Sequence, residues 1–337
     1  GGEEFNGSAV AAGPLTDSVT LTVGVGHFSR AEFADPNDNR SPALTLREGK
    51  RGTNLILGSS IMPFEHHRID LDYYRTDEDR NSYRLDTVTG SSLIYKRNDD
   101  VIREHSAVTY NGTFDRMQTY LSAYRSEVTS TSAAQDPRIP PSASPTQGQR
   151  NDAIDGRVNF QVGSQHMISL GMEALTQFHI HSSFQGGEAK ADLLSGYVQD
   201  QISLADTLKL TVGLRSDRHD TFGSEISPRA YLVYLPSDNL TLRAGYGHGF
   251  KAPHLKYTTA GYESGRPGYD LVANPDLQPE VVDGYELGFD YSRGAYRFNT
   301  VLFNNDLSNL LASEELKAPV RVRGKVVQNG ITRRINV

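Results

Sequence analysis

At 337 residues, with a formal net charge of −7 and no cysteine, the chain could hold two soluble domains or one large closed barrel. The acidic balance gives no support for nucleic acid as a partner, and the lack of Cys removes disulfides, thiol catalysis and thiolate metal sites. Mean hydropathy is −0.50 and the longest apolar run is Ala230 to Leu235, which excludes a membrane helix but not strands whose alternate residues face lipid.

Strand patterning starts at Val19, where Val19, Leu21, Val23 and Val25 alternate with Thr20, Thr22, Gly24 and Gly26. A polar loop carrying Arg40, Arg47, Lys50 and Arg51 follows, then a strand near 53–62, a tight turn at 63–67 and a third strand through Ile69, Leu71 and Tyr73. After a polar loop over 76–100, strands at 101–110 and 116–127 are expected to meet across Asn111-Gly112, a strong hairpin signal. The Ser- and Pro-rich stretch 130–150 reads as a flexible loop or a linker. Beyond it the same pattern resumes, with strands at 154–162, 168–174, 191–204, 208–214, 226–235 and 240–249. A loop of about thirty residues, Phe250 to Glu280, leads to a hairpin of Tyr285–Tyr291 and Tyr296–Leu302, and a last incomplete strand opens after Gly330.

That makes about fourteen strands whose connections alternate long and short. Tilted strands of about nine to thirteen residues, with tight turns on one rim and long loops on the other, are the pattern of an outer-membrane barrel. Polar residues at inner positions suit a wet or plugged lumen. The fold expected is all-β, a transmembrane antiparallel β-barrel. The chain opens Gly1-Gly2-Glu3 with no Met or apolar leader and stops at Val337 within a strand pattern, so it reads as an internal piece of a longer protein.

Four stretches resemble the TonB-dependent outer-membrane receptors, in that family's order and spacing: Phe222–Tyr234, Phe250-Lys251-Ala252-Pro253, Asn274-Pro275 through Glu280, and Tyr285–Gly288. Phe303–Leu310 is similar to the strand and loop that follow. Within the family the likeness is to the colicin I receptor and ferric enterobactin receptor branch. The resemblance implies a 22-stranded barrel filled by an N-terminal plug, about fourteen of its strands being here. It further implies uptake of ferric siderophores, catecholates first, energised by TonB–ExbB–ExbD. On this resemblance the plug, the TonB box and the closing strands are expected to lie outside residues 1–337. Other partners implied are outer-membrane lipid, and colicins or phage that exploit such receptors. No cofactor is implied.

A ferric catecholate is anionic and aromatic, so outer-loop Arg, Lys and Tyr are the expected contacts. Tyr257, Tyr262, Arg266 and Tyr269 in the longest loop meet that requirement, as do Arg80, Tyr83 and Arg84 in an earlier one. The Phe250–Pro253 and Asn274-Pro275 motifs are read as fixing how the long loop leaves and re-enters the wall. His179 and His181 share a strand face, but with no third ligand in sight they are read as no metal site; His66-His67 is expected to be exposed in a turn. His254 keeps haem as an alternative ligand, cobalamin or a glycan as others, and a passive pore as an alternative of another class. No catalytic constellation is present: Gly245–Gly249 is not a phosphate loop, and no Gly-x-Ser-x-Gly elbow occurs.

Overall fold

The computed structural model describes residues 3–85, 94–135, 144–184, 186–266, 269–322 and 325–337. Its first strands are β1 (Glu4–Thr16), β2 (Val19–Arg30), β3 (Phe33–Ala34), β4 (Thr45–Arg47), β5 (Gly49–Phe64), β6 (His67–Leu85) and β7 (Ile94–Phe114). There follow β8 (Met117–Ala134), β9 (Ser144–Val162), β10 (His166–Ile180), β11 (Glu188–Ala205), β12 (Leu208–His219), β13 (Gly223–Ser237) and β14 (Leu240–Lys251). A short helix, α1 (Leu255–Thr258), precedes β15 (Glu263–Arg266), β16 (Tyr269–Val272), β17 (Glu280–Arg293) and β18 (Tyr296–Ser308). The last strands are β19 (Leu311–Lys317), β20 (Val320–Val322), β21 (Lys325–Gln328) and β22 (Gly330–Asn336).

One antiparallel sheet of 14 strands forms a barrel wall in the order β1-β2-β5-β6-β7-β8-β9-β10-β11-β12-β13-β14-β17-β18. The strand count expected from periodicity holds, but two members differ. β1 lies ahead of Val19; its Gly- and Ala-rich sequence carries too few bulky residues to show alternation. β22 leaves the wall, pairing in parallel with β16 and antiparallel with β19. The long loop folds a hairpin of its own, β15–β16, whose free edge takes β22.

Tight turns at Asp17-Ser18, Glu65-His66, Asp115-Arg116, 163–165, Asp206-Thr207, Asp238-Asn239 and Gly294-Ala295 share one rim. Asn111-Gly112 is not among them: it lies inside β7, and the chain reverses at Asp115, where φ is 32°. The neighbouring strand decides this. Gly112 faces His67 across the β6–β7 ladder, and the 2.7 Å hydrogen bond between His67 Nδ1 and the Tyr110 hydroxyl fills the space a Cβ at residue 112 would need. His67 is therefore half-buried, against expectation, while His66 stays exposed in the turn. Much of the expected loops at 76–100 and 128–151 is strand. Stretch 130–150 is no linker, since β8 and β9 still pair at Ser132 and Ser144; residues 86–93 and 136–143 lie outside the described residues.

Rows across the ladder locate the membrane. Leu71, Val108, Ala123, Ile154, Ala174 and Leu194 are neighbours on one row of β6 to β11, all apolar and on the outer face. The row below holds Ile69, Tyr110, Leu121, Gly156, Met172 and Gly196. Two residues above, the rows read Tyr73, Ser106, Arg125, Asp152, Thr176, Asp192 and then Arg75, Glu104, Glu127, Arg150, Phe178, Lys190. Hydrocarbon therefore ends at the Ile154 level. On β9 the apolar belt runs from Ile154 to Val162, close to the ~9–11 residues a tilted membrane strand needs. Large side chains of this belt are open on the outer face, with Ile154 57% and Met172 61% exposed, as a lipid-facing surface requires. No helix among the described residues is long and apolar enough to cross a membrane.

Candidate ligand-binding mouth

Beyond the belt, the long loop folds against the β10–β11 connection. α1 begins where His254, in extended backbone, accepts a hydrogen bond from the Lys256 N–H on its Nδ1 (3.3 Å), a side-chain N-cap. Leu255, Tyr262 and Leu271 from the loop then bury with Phe184, Ala189 and Ala191, the buried hydrophobic cluster of the described residues. Edge-on and tilted rings close it: Phe184 to Tyr262 at 5.1 Å, His179 to His254 at 4.8 Å, His181 to Tyr262 at 5.2 Å. Each such contact adds about 0.5–1.5 kcal/mol beyond the area buried.

Three imidazoles thus meet where the sequence suggested two. The third, His254, lies far along the chain and reaches His179 only through the fold of the loop. Among the described residues no group of three or more His, Cys, Asp or Glu is disposed to hold a metal ion. Burial lowers His179 to about 4, with His254, Lys256 and His181 adding to the effect. His254 is lowered by burial and then by Lys256, and His181 by burial. The cluster is built for neutral rings.

The predicted contact residues separate. Tyr257, in α1, lines the mouth with Lys256 and Arg334 over its ring at 5.0 and 5.3 Å. Tyr262 is 6% exposed and serves the loop's own packing. Arg266 lies in β15, its backbone paired with Tyr269, and its side chain is outside the described residues. Tyr269 donates its hydroxyl to Glu315 at 2.6 Å. Arg80, Tyr83 and Arg84 are on strand β6, not in a loop. Arg80 pairs with Glu78 and, at 3.3 Å, with Glu48; Arg84 donates to Ser82, and the Tyr83 N–H to Thr45.

Buried Glu78 also takes Lys50 at 2.9 Å and Arg103 at 3.8 Å, a three-cation patch of which only Arg80 was anticipated. Burial raises its carboxyl, but the hydrogen bonds from Lys50 and Arg80 outweigh it and the net direction is down.

The motif residues stand at the two ends of the long loop. Phe250 and Lys251 close β14, Pro253 is buried, and Asn274 holds the loop's far end. Asn274 donates its side-chain N–H to the Arg334 carbonyl (2.8 Å), and its backbone N–H to that of Tyr257 (2.6 Å).

Below the cluster the inner face of β8 to β14 encloses a cavity of about 1460 Å³. Arg157, Arg215 and Arg229 project into it beside Tyr197, Gln149, Gln177 and Gln199. Arg215 is neutralised by Asp217 and Glu173. Arg157 and Arg229 form no ion pair among the described residues; Arg157 stands 5.7 Å from the Tyr120 ring and Arg229 donates to Gln199. The sequence singled out neither as a contact: Arg157 falls in the strand expected at 154–162 and Arg229 inside the Phe222–Tyr234 stretch. The wall therefore offers uncompensated guanidinium and ring faces, suited to an anionic aromatic ligand.

The family model for the β-barrel of TonB-dependent receptors matches residues 14–333. The chain belongs to this family. It is 23% identical over 332 residues to the iron-regulated outer membrane virulence protein of Vibrio cholerae, covering 96% of the chain and 48% of that protein. Against the ferric enterobactin receptor PirA of Pseudomonas aeruginosa it is 24% identical over 379 residues, covering 93% and 48%. Solved structures of PirA and of the ferric enterobactin receptor PfeA of that species superpose with TM-scores of 0.78 and 0.80 over the whole chain, at 21% identity, covering 57% and 55% of theirs. The chain spans about half the length of the relatives it matches. It thus carries the β-barrel wall of this Gram-negative outer-membrane family, which is a family of receptors and not of enzymes.

Proposed function

We propose that this segment forms part of the wall and mouth of a receptor for TonB-energised uptake of ferric siderophores of the catecholate type. The plug and the TonB–ExbB–ExbD complex would act from outside this segment. What carries the reading is the pairing of two unneutralised arginines, Arg157 and Arg229, with Tyr197 and Tyr257 around one cavity. A ferric tris-catecholate presents negative charge and aryl rings, and this lining complements both. Relatives named for ferric enterobactin support the same chemistry. Haem is the weaker reading, because both nitrogens of His254 are engaged: Nδ1 by the Lys256 N–H and Nε2 by the Gln149 amide at 2.9 Å.

The test is titration of the purified full-length receptor with a ferric tris-catecholate, followed by quenching of intrinsic fluorescence. Saturable binding at micromolar concentration or below is expected, weakened about tenfold by Arg157→Gln, the size of one charge-assisted contact. No binding at micromolar ligand would reject the reading.

A further inference from the structure

On the lipid-facing surface one side chain breaks the rule of the belt. From the row of Ala123, Ile154, Ala174 and Leu194 down to the tight turns, Asp200 is the only carboxylate on the outer face of β8 to β11 among the described residues. His166 is the only other titratable group there. Register runs unbroken from the Met172–Gly196 pair to the Ile168–Asp200 pair, so Asp200 faces outward, away from the cavity that Gln199 and Gln201 line. Its ladder partners are Ile168 and Val212, and Val198 and Ile202 flank it along β11. A carboxylate among four aliphatic side chains at hydrocarbon level is costly, and such a residue marks a site of function more often than of packing.

His166 answers half of that cost. It opens β10 directly after the turn at 163–165, and its Nδ1–H donates to Asp200 Oδ2 at 2.7 Å. Asp200 Oδ1 is buried and has no hydrogen-bond partner. An acceptor left in that state carries the full penalty of its lost water. The Asp200 side chain is 23% exposed and that of His166 40%. The two carboxylate oxygens are equivalent, and the soft terminal torsion of Asp lets the one that His166 does not hold turn outward. The wall thus leaves one acceptor, in its lower half, for a donor arriving from the membrane side.

We propose that Asp200 and His166 form a headgroup site for a phospholipid of the periplasmic leaflet whose headgroup joins a primary ammonium to a phosphate, the ethanolamine type. The rim of tight turns is the periplasmic one in such barrels, and His166 stands at it. An ammonium brings both the N–H donor and the positive charge that the open carboxylate oxygen needs, while the phosphate a few bonds away meets the imidazole edge. Polar side chains within the belt draw headgroups inward by thinning the bilayer locally, which brings the ammonium up from the rim. A choline headgroup carries the charge without an N–H, and a glycerol headgroup has hydroxyls without the charge, so the pair selects among lipids by chemistry. The site does not depend on what the receptor imports.

The test takes the full-length receptor, delipidated in a non-ionic detergent, and titrates it with phosphatidylethanolamine, phosphatidylcholine or phosphatidylglycerol of one acyl composition. Bound lipids are counted by native mass spectrometry. One ethanolamine lipid is expected to bind about tenfold tighter than either of the others, the size of one charge-assisted hydrogen bond. Asp200→Leu continues the aliphatic belt and is expected to fold and to abolish that preference. Asp200→Asn, of the same shape without the charge, is expected to do the same, and His166→Gln to weaken it. Equal affinity for the three lipids overturns the site, as does a preference that survives Asp200→Leu or is untouched by His166→Gln. Tightest binding of phosphatidylglycerol also overturns it, since phosphate alone is then recognised. A receptor dimer that dissociates on Asp200→Leu assigns the pair to contact with a second copy and rejects the lipid site.

Discussion

At the scale of single residues, the inner wall works by laying long side chains over glycine. The Tyr197 ring occupies the space a Cβ at Gly171, its ladder partner, would need. Gly171→Ala must displace that ring, so it is expected to destabilise the full-length receptor by about 1–3 kcal/mol, the usual cost of overpacking. Adding Tyr197→Ala should recover most of the loss, read as the denaturation midpoint in detergent or vesicles. Independent, additive losses would show the two do not share that space. Tyr262 makes the converse case. Chosen from its sequence as a ligand contact, it is buried against Phe184 and His181. Tyr262→Ala should therefore free the long loop to protease at a cost of about 3–5 kcal/mol of local stability, and an unchanged cleavage rate would rule this out.

At the scale of elements, the long loop depends on neutral imidazoles. His179, His181 and His254 are all lowered from their ordinary range, His179 to about 4. The facing groups are Lys256, Gln149, Phe184, Tyr262 and Tyr257, none of them a carboxylate that could compensate new charge. A group whose folded pKa is depressed stabilises fully above its unfolded value, here 6.5, and loses that contribution as pH falls toward the folded one. Docking of residues 254–274 should thus be intact at pH 7 and fail progressively between about 6 and 4. Hydrogen exchange across that loop, corrected for intrinsic rates, would report it. His179→Phe, which keeps a ring and removes the proton site, should shift the transition to lower pH.

At the scale of the molecule, the outer rows fix how the wall sits in the membrane. Leu121 is in the second apolar row below the charged boundary, whereas Gln118 lines the inner cavity. Leu121→Arg, between the interface and the midplane, should cost about 1–2 kcal/mol of folding free energy in vesicles, and Gln118→Arg well under that. Equal costs would contradict the assignment of faces. The same two-faced wall explains why the best-packed part of the chain lies outside the membrane. Within the belt, lipid covers the outer face in place of a core, and among the described residues the buried hydrophobic cluster lies in the folded loop and the β10–β11 connection.

Much of this was legible in the chain because alternation is a local property. Val19–Val25, Leu208–Leu214 and Leu240–Tyr246 each declare a strand with two unlike faces, and the unequal loops between strands declare two rims. What periodicity could not decide were matters set by neighbours. Register against His67 moved the turn from Asn111-Gly112 to Asp115; edge pairing drew β22 out of the wall to β16; and β1 was too poor in bulky residues to announce itself. The site divides in the same way. Tyr257, which lines the candidate cavity, was picked out because loop Tyr and Arg are informative types, and the motif residues because their spacing resembled a family's. Neither Arg157, one polar residue in an alternating strand, nor Arg229, inside a family-like stretch, stood out, since whether an arginine is neutralised depends on carboxylates that only the ladder brings near. The three-imidazole cluster joins a strand end to a helix cap over seventy residues away, a contact set by tertiary packing that no sequence period encodes.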